Sequence, residues 1–251
     1  MKKYYLLTSF LFLFFFASAN KQDSLFQQAN KAYQEKDFGK ATELYEQVLT
    51  DGYQSAELEY NLGNAYYRQK NIGNAILHYE RALLLSPKDA DIQYNLDLAR
   101  QQLPEQIEPL PEFFLTKWWK TMRMAAPSGI WGTLALLLWW AGLAGLSFWL
   151  IGKSREQKKR GFFIGLAALL LSLLPFSLAL DRMAFEKNTR LAIVLETTTP
   201  LKSAPDKNGS EILELQEGTK VELLDLLSGW WNVELPNGEK GWVVATDVEE
   251  I

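Results

Sequence analysis

The chain has no cysteine and a single histidine, which excludes several kinds of chemistry. The lack of cysteine rules out disulfides, thiolate catalysis and sulfur-ligated zinc or iron–sulfur sites. We expect the one histidine, His78, to be solvated or to flank a binding groove. No serine is placed with a base, no carboxylate pair stands apart from ordinary surface charges, and no metal-ligand spacing occurs. The sequence therefore predicts a protein that is not an enzyme and uses no cofactor.

Strong positive charge is also missing. The formal net charge is −4, and no basic stripe with interleaved aromatic residues is present, so no nucleic-acid partner is predicted. Charged residues concentrate in residues 20–112 and 181–251. Residues 186–251 hold thirteen acidic and six basic residues, which would steer a basic protein partner toward this end of the chain.

The first residues have the three parts of a secretory signal. Lys2 and Lys3 precede an apolar run from Tyr4 to Phe16, and small residues follow at Ala17–Ala19. The run is short for a transmembrane helix, which needs about 20 residues. We predict a signal peptide at residues 1–19. An uncleaved anchor is the alternative, and it leaves residue 20 on the same side of the membrane.

Residues 20–103 repeat themselves when shifted by 34 positions. The matching pairs are Asn30 with Asn64, Tyr33 with Tyr67, Ala41 with Ala75, Tyr45 with Tyr79, and Leu49 with Leu83. A period of about 34 is typical of tetratricopeptide repeats, which are pairs of antiparallel helices. The second copy is similar to that family at Leu62, Gly63, Tyr66, Ala75, Tyr79, Ala82 and Pro87. Glu59 departs from it, because the family usually has a large apolar residue there.

A third helix start at residues 93–96 echoes residues 59–62, and Pro104 should end it. We therefore predict two repeats and a capping helix. This is close to the minimum of about three repeats for independent stability. Packing against the membrane segment, a partner or a second copy of the chain would add stability, so self-association is one expectation.

The resemblance to tetratricopeptide arrays implies that the first helix of each pair lines a concave face. Asn side chains there both donate and accept hydrogen bonds, so they are suited to hold the backbone of an extended peptide. The alternative is that these asparagines only order the helix pairs. The predicted lining is Asn30, Tyr60, Asn61, Asn64, Tyr67, Arg68, Tyr94 and Asn95.

Two uncharged runs follow, and they predict a helical hairpin in a membrane. Residues 104–128 form a linker and an interfacial segment in which aromatic and basic residues alternate. Residues 129–151 and 161–180 are predicted spans, joined by the loop 152–160 with five cations and one anion. By the positive-inside rule that loop is cytoplasmic. We therefore expect an inner-membrane protein with both soluble ends in the periplasm.

The spans contain no ionisable residue, which argues against transport and for a simple anchor. Gly161 and Gly165 have a spacing that permits close helix packing. A linker at residues 181–190 should then lead to the last domain.

Residues 191–251 change to short β-type runs, with Asn237-Gly238 as a hairpin signal. They resemble bacterial SH3-like domains at residues 201–205, 217–221, 229–233 and 241–243, which implies a small barrel. Much of the aromatic platform that binds proline-rich peptides is missing. Trp230 and Trp242 offer stacking surfaces, although packing in the core or rim is the alternative.

The order of these parts resembles the BatE-type family of aerotolerance-operon proteins over nearly the whole mature chain. The predicted fold class is a multidomain membrane protein with an all-α tetratricopeptide array, a transmembrane helical hairpin and a small all-β SH3-like barrel. The resemblance implies a cell-envelope adaptor for oxygen or stress tolerance, with von Willebrand A-type membrane proteins as partners. The alternative is a cell-wall protein whose SH3-like domain binds peptidoglycan.

Overall fold

The computed structural model describes residues 24–103, 107 and 109–251, and these divide into two compact units. The predicted signal peptide and the predicted stop at Pro104 lie outside the described residues. One unit joins residues up to Pro109 with Arg190–Ile251, and the other is Leu110–Thr189. The predicted tetratricopeptide array and the predicted SH3-like domain thus belong to the same unit.

Among the described residues, five antiparallel helices form the first part of that unit. Each of the last four begins at a polar residue whose side chain accepts a backbone N–H of the first turn, which satisfies a donor that the helix leaves free. These caps are Asp37, Ser55, Asn71 and Asp89. The helices are α1 (residues 24–34 as described), α2 (Phe38–Thr50), α3 (Ala56–Arg68), α4 (Ile72–Leu85) and α5 (Ala90–Arg100).

Small residues let the paired helices approach each other. A Cβ atom on Gly63 would lie 2.8 Å from the Tyr79 ring, so glycine at one position and tyrosine at the other are complementary. Ala41 and Ala75, which the repeat aligns with each other, are both fully buried. The sequence prediction of a helical tetratricopeptide-like array is confirmed.

Seven strands form one antiparallel sheet in the order β3-β2-β6-β5-β4-β1-β7. The edge strands β3 and β7 are not paired with each other, so the sheet is not closed, in contrast to the predicted barrel. Gly238 has a φ of 81° in the turn between β5 and β6, as the Asn-Gly signal predicts. The strands are β1 (Arg190–Val194), β2 (Thr198–Lys202), β3 (Glu211–Gln216), β4 (Lys220–Leu227), β5 (Trp230–Glu234), β6 (Lys240–Val244) and β7 (Val248–Glu250).

The second unit consists of α6 (Phe114–Met124), α7 (Ser128–Ile151) and α8 (Arg155–Asn188). Both α7 and α8 are long and apolar enough to cross a membrane. The basic segment, predicted as loop, is mostly the start of α8, where Ser154 and Gln157 form a capping box. Residues 181–188, predicted as linker, are the last two turns of the same helix.

Glycines hold α7 against α8. A Cβ atom on Gly145 would lie 2.7 Å from the Gly165 Cα, and one on Gly161 would lie 2.8 Å from the Gly145 carbonyl oxygen. The helix backbones are therefore in direct contact, as the spacing of Gly161 and Gly165 permits. At the other end of the pair, Asp181 accepts a hydrogen bond from the Trp119 indole at 2.8 Å and joins α6 to α8.

Candidate peptide-binding surface and domain junction

The structure brings the eight predicted lining residues together on α1, α3 and α5, the first helices of successive pairs. The Asn61 amide donates to Asn30 Oδ1 at 3.4 Å, and the Asn95 amide donates to Asn64 Oδ1 at 2.9 Å. Asn95 also donates to the Tyr60 hydroxyl at 2.8 Å. Hydrogen bonds therefore link neighbouring repeats along this face.

The same asparagines also bind the second helix of their own pair. The Tyr45 hydroxyl donates to Asn30 Oδ1 at 2.6 Å, and the Tyr79 hydroxyl donates to Asn64 Oδ1 at 2.8 Å. Each carboxamide oxygen thus accepts two bonds and is saturated. Burial raises the pKa of Tyr45 and of Tyr79, which keeps both hydroxyls protonated as donors. We call this repeated arrangement the asparagine ladder, and it favours an ordering role for these oxygens.

The ladder still leaves groups for a ligand. The NH2 groups of Asn30 and Asn64 have no acceptor among the described residues, so they can donate to the carbonyl groups of a bound peptide. Tyr94 is 65% exposed. Arg68 is also exposed, with its guanidinium 5.4 Å from the centre of the Phe38 ring. The surface therefore offers amide donors, one cation and tyrosine faces, whereas Tyr60 and Tyr67 are half-buried.

His78 differs from the expectation of a solvated residue. It is 5% exposed, its Nδ1 lies 2.7 Å from Glu59 Oε2, and its ring stacks on Tyr66 with centroids 5.4 Å apart. Glu59 is 1% exposed. A buried carboxylate requires a hydrogen-bonding partner, and His78 supplies one across the helix pair. The departure from the repeat pattern at Glu59 was the sequence signal for this buried pair.

The SH3-like domain packs on α4, a contact that sequence reasoning missed. Ile193 of β1 is fully buried in the same apolar cluster as Ile76, Leu77 and Leu96 of the helices. Gly218 fits closely beside it, since a Cβ atom there would lie 2.7 Å from Ile76 Cδ1. The array and the sheet thus share a hydrophobic core.

Polar contacts surround this shared core. Glu217 Oε2 accepts the backbone N–H of Gly73 at 3.3 Å, in the first turn of α4, where a helix favours negative charge. Glu80 is 7% exposed and binds Lys220 Nζ at 2.8 Å as well as Arg100. Arg81 of α4 binds the carboxylate of Glu249 at 2.8 Å.

The SH3-like domain therefore covers the outer helix of the last pair. Its hydrogen bonds and ion pairs with the array, among the described residues, come from α4 and involve none of the eight lining residues. The shared core adds buried apolar contacts to an array of few repeats, and the docked domain leaves the lining open.

Trp230 and Trp242 lie on β5 and β6 and are both half-buried. The Nζ of Lys202 lies 5.7 Å from the centre of the Trp230 ring, and Lys202 pairs with Trp242 across β2 and β6. The two tryptophans and the lysine thus form a partly open aromatic and cationic area, and the structure leaves both predicted roles in place.

A tetratricopeptide repeat model matches residues 56–89, and a bacterial SH3 domain model matches residues 197–249. No curated protein matches the chain. The crystal structure of the Sgt2 TPR domain from Aspergillus fumigatus is similar over 61% of this chain and 82% of that one, with 21% identity and a TM-score of 0.30. The chain thus combines a tetratricopeptide repeat with a bacterial SH3 domain, and two candidate membrane helices lie between them in the sequence.

Proposed function

We propose that the protein is a non-enzymatic, membrane-anchored adaptor of the cell envelope that binds an extended segment of a partner protein. The observation that carries this proposal is the open face of α1, α3 and α5. It presents Arg68, Tyr94 and the amide groups of Asn30 and Asn64, which have no acceptor within the described part of the chain, while the SH3-like domain docks on the opposite helix. An extended peptide backbone has the carbonyl groups that such amides bind.

The two candidate spans indicate where the adaptor lies in the cell. The basic residues between Lys153 and Arg160 are all exposed and lie where α7 gives way to α8, which supports a cytoplasmic position for them under the positive-inside rule. The array and the SH3-like domain then both lie in the periplasm, at the inner membrane. Their fusion into one unit means that a partner held by one is held beside the other.

The resemblance to BatE-type aerotolerance proteins supports the choice of partner. Its carriers are the order of modules, the PEFFLTKWW segment before the hairpin, and the EGTKVELLDLLSGWW and GWVVATD segments after it. We therefore propose von Willebrand A-type membrane proteins of the same operon type as the ligands of the array.

Crosslinking in native membranes tests this proposal. A photoreactive residue at Arg68 or at Tyr94 should capture a von Willebrand A-type membrane protein, because both side chains are exposed on the lining. The matched control is Gln47, which is exposed on the outer helix α2 and should not capture it. Capture of lipid or of a second copy alone, or equal capture from Gln47, would contradict the proposal.

A second candidate is peptidoglycan binding by the SH3-like domain. The observation that favours it is the cluster of Trp230, Trp242 and Lys202, since aromatic rings stack on sugars and a lysine binds carboxylates of the stem peptide. The full chain in detergent should then be retained on purified sacculi, and Lys202→Glu should weaken retention. No retention of the unaltered chain would remove this candidate and leave the adaptor.

A further inference from the structure

The end of the hairpin formed by β4 and β5 is apolar and exposed on both faces. We call residues 224–230 the hairpin tip. Leu224, Leu226 and Leu227 are 43%, 50% and 50% exposed, respectively, and Asp225 is the one charged residue of the tip. Ser228 and Gly229 turn the chain with φ values of 51° and 83°. A cluster of exposed leucines beside Trp230 is unusual on a soluble surface and indicates a contact with another apolar phase.

The pairing of the strands places this tip at one end of the domain. Arg190, the first residue of β1, pairs with Leu223 of β4, and the two strands are antiparallel. Residues of β4 beyond Leu223 therefore extend past the start of β1. A bulge at Leu224, where the β4–β5 register shifts, bends the hairpin at the point where it leaves the sheet.

The start of β1 is also where the chain arrives from the candidate membrane helix. Helix α8 ends at Asn188, and Thr189 alone separates it from β1. The hairpin tip thus projects from the end of the SH3-like domain that is joined to α8.

The hairpin tip and the last two turns of α8 have similar lengths. The four residues 224–227 extend about 14 Å beyond Leu223 at the rise of a strand. The uncharged run of α8 ends at Leu180, so the eight helical residues from Asp181 to Asn188 span about 12 Å. The tip is therefore about as long as the charged part of α8 that separates the apolar run from β1.

We propose that the hairpin tip inserts its leucines into the outer surface of the bilayer that α8 crosses, with Trp230 at the interface. This inference rests on the proposed membrane anchoring. Leucine side chains gain free energy on leaving water, and tryptophan is enriched at the level of the headgroups. The SH3-like end of the chain is acidic, so the attraction is apolar and does not depend on anionic lipids.

The absence of native cysteine allows a site-specific test on the full chain. The protein is reconstituted in phosphatidylcholine liposomes that contain a nitroxide-labelled lipid, and an environment-sensitive fluorophore is attached to a single introduced cysteine. Leu227→Cys reports on the tip. Glu239→Cys is the matched control, because this exposed residue lies in the turn at the opposite end of β5. Leu137→Cys in the middle of α7 reports on the anchoring itself.

We expect the label at Leu227 to emit at shorter wavelength and to be quenched several-fold more strongly than the label at Glu239. The quenching should be the same at low and high salt, since the contact is apolar. Strong quenching at Leu137 with none at Leu227 would overturn the inference and leave the anchoring intact. A wavelength shift at Leu227 that grows with protein density, without quenching, would assign the tip to a second copy and also overturn it. No quenching at Leu137 would refute the anchoring.

Discussion

Replacement of Gly218 by alanine should loosen the helical array, although Gly218 lies in the SH3-like domain. Its φ of 77° costs any L-residue about 1–2 kcal/mol. The new Cβ would also meet Ile76 Cδ1 at 2.7 Å and a Leu103 methyl at 3.1 Å. Such overpacking costs about 1–3 kcal/mol, and the flexible end of the Ile76 side chain places it near the lower limit.

Gly229→Ala is a matched control for this substitution. Gly229 has a φ of 83° and no neighbouring atom within 4 Å of an added Cβ, so this variant carries the backbone cost without the contact to the array. The two variants should therefore differ by about 1 kcal/mol in the stability of the junction, a factor of about five in an equilibrium constant.

Hydrogen exchange of peptides from α4 in the full chain measures this difference. None of the nine tryptophans lies in the array, so fluorescence would not report on it. We expect exchange in α4 to be about fivefold faster in Gly218→Ala than in Gly229→Ala, because opening of the junction exposes this helix. Equal exchange in the two variants would refute the shared core of the array and the sheet.

Three further predictions concern the α7–α8 helix pair and the asparagine ladder. Gly145→Leu should lower the thermal stability of the α7–α8 pair in detergent, while Gly132→Leu should not, because Gly145, unlike Gly132, faces backbone atoms of α8. Equal effects of the two substitutions would contradict the packing. Asn64→Ala should destabilise the array by about 1–3 kcal/mol, since two donors lose their acceptor, whereas Arg68→Ala should weaken partner capture with little loss of stability in a denaturant titration. The pKa of Tyr79 is raised by burial, so its contribution to stability is complete below the ordinary tyrosine pKa of about 10 and is lost as pH rises above it. Absorbance at 295 nm should thus show this tyrosine ionising together with unfolding of the array, and titration in the folded state at its ordinary pKa would contradict the burial.

Local patterns in the sequence predicted most of the architecture. The period of 34 is a pattern within a short stretch of sequence, and α3 and α4 form the helix pair that it predicts. The two uncharged runs and the Asn-Gly turn are equally local. The first and last residues of α8 were predicted less well. The charged residues on both sides of its apolar run continue the helix, because adding residues to a formed helix is easier than starting one.

Contacts between distant residues were not predictable in the same way. The repeat placed Asn30, Asn64 and Asn95 on one face, but their saturation by Tyr45, Tyr79 and each other appears only in three dimensions. The docking of β1 on α4 joins residues more than a hundred positions apart, and the apolar Ile193 reads equally well as part of the core of its own sheet. His78 was expected to be solvated, but it is buried and pairs with Glu59 on the neighbouring helix, a contact that the local sequence does not indicate.

Accessibility of single cysteines in spheroplasts tests the central proposal, an adaptor with both soluble parts outside the inner membrane. A membrane-impermeant maleimide should label Tyr94→Cys on the array and Glu239→Cys on the SH3-like domain, because both positions are exposed on the soluble unit. Lys159→Cys, in the basic segment of α8, should be labelled only after detergent is added. Labelling of Lys159→Cys in intact spheroplasts, or protection of either of the other two, would contradict the proposed topology and with it the adaptor.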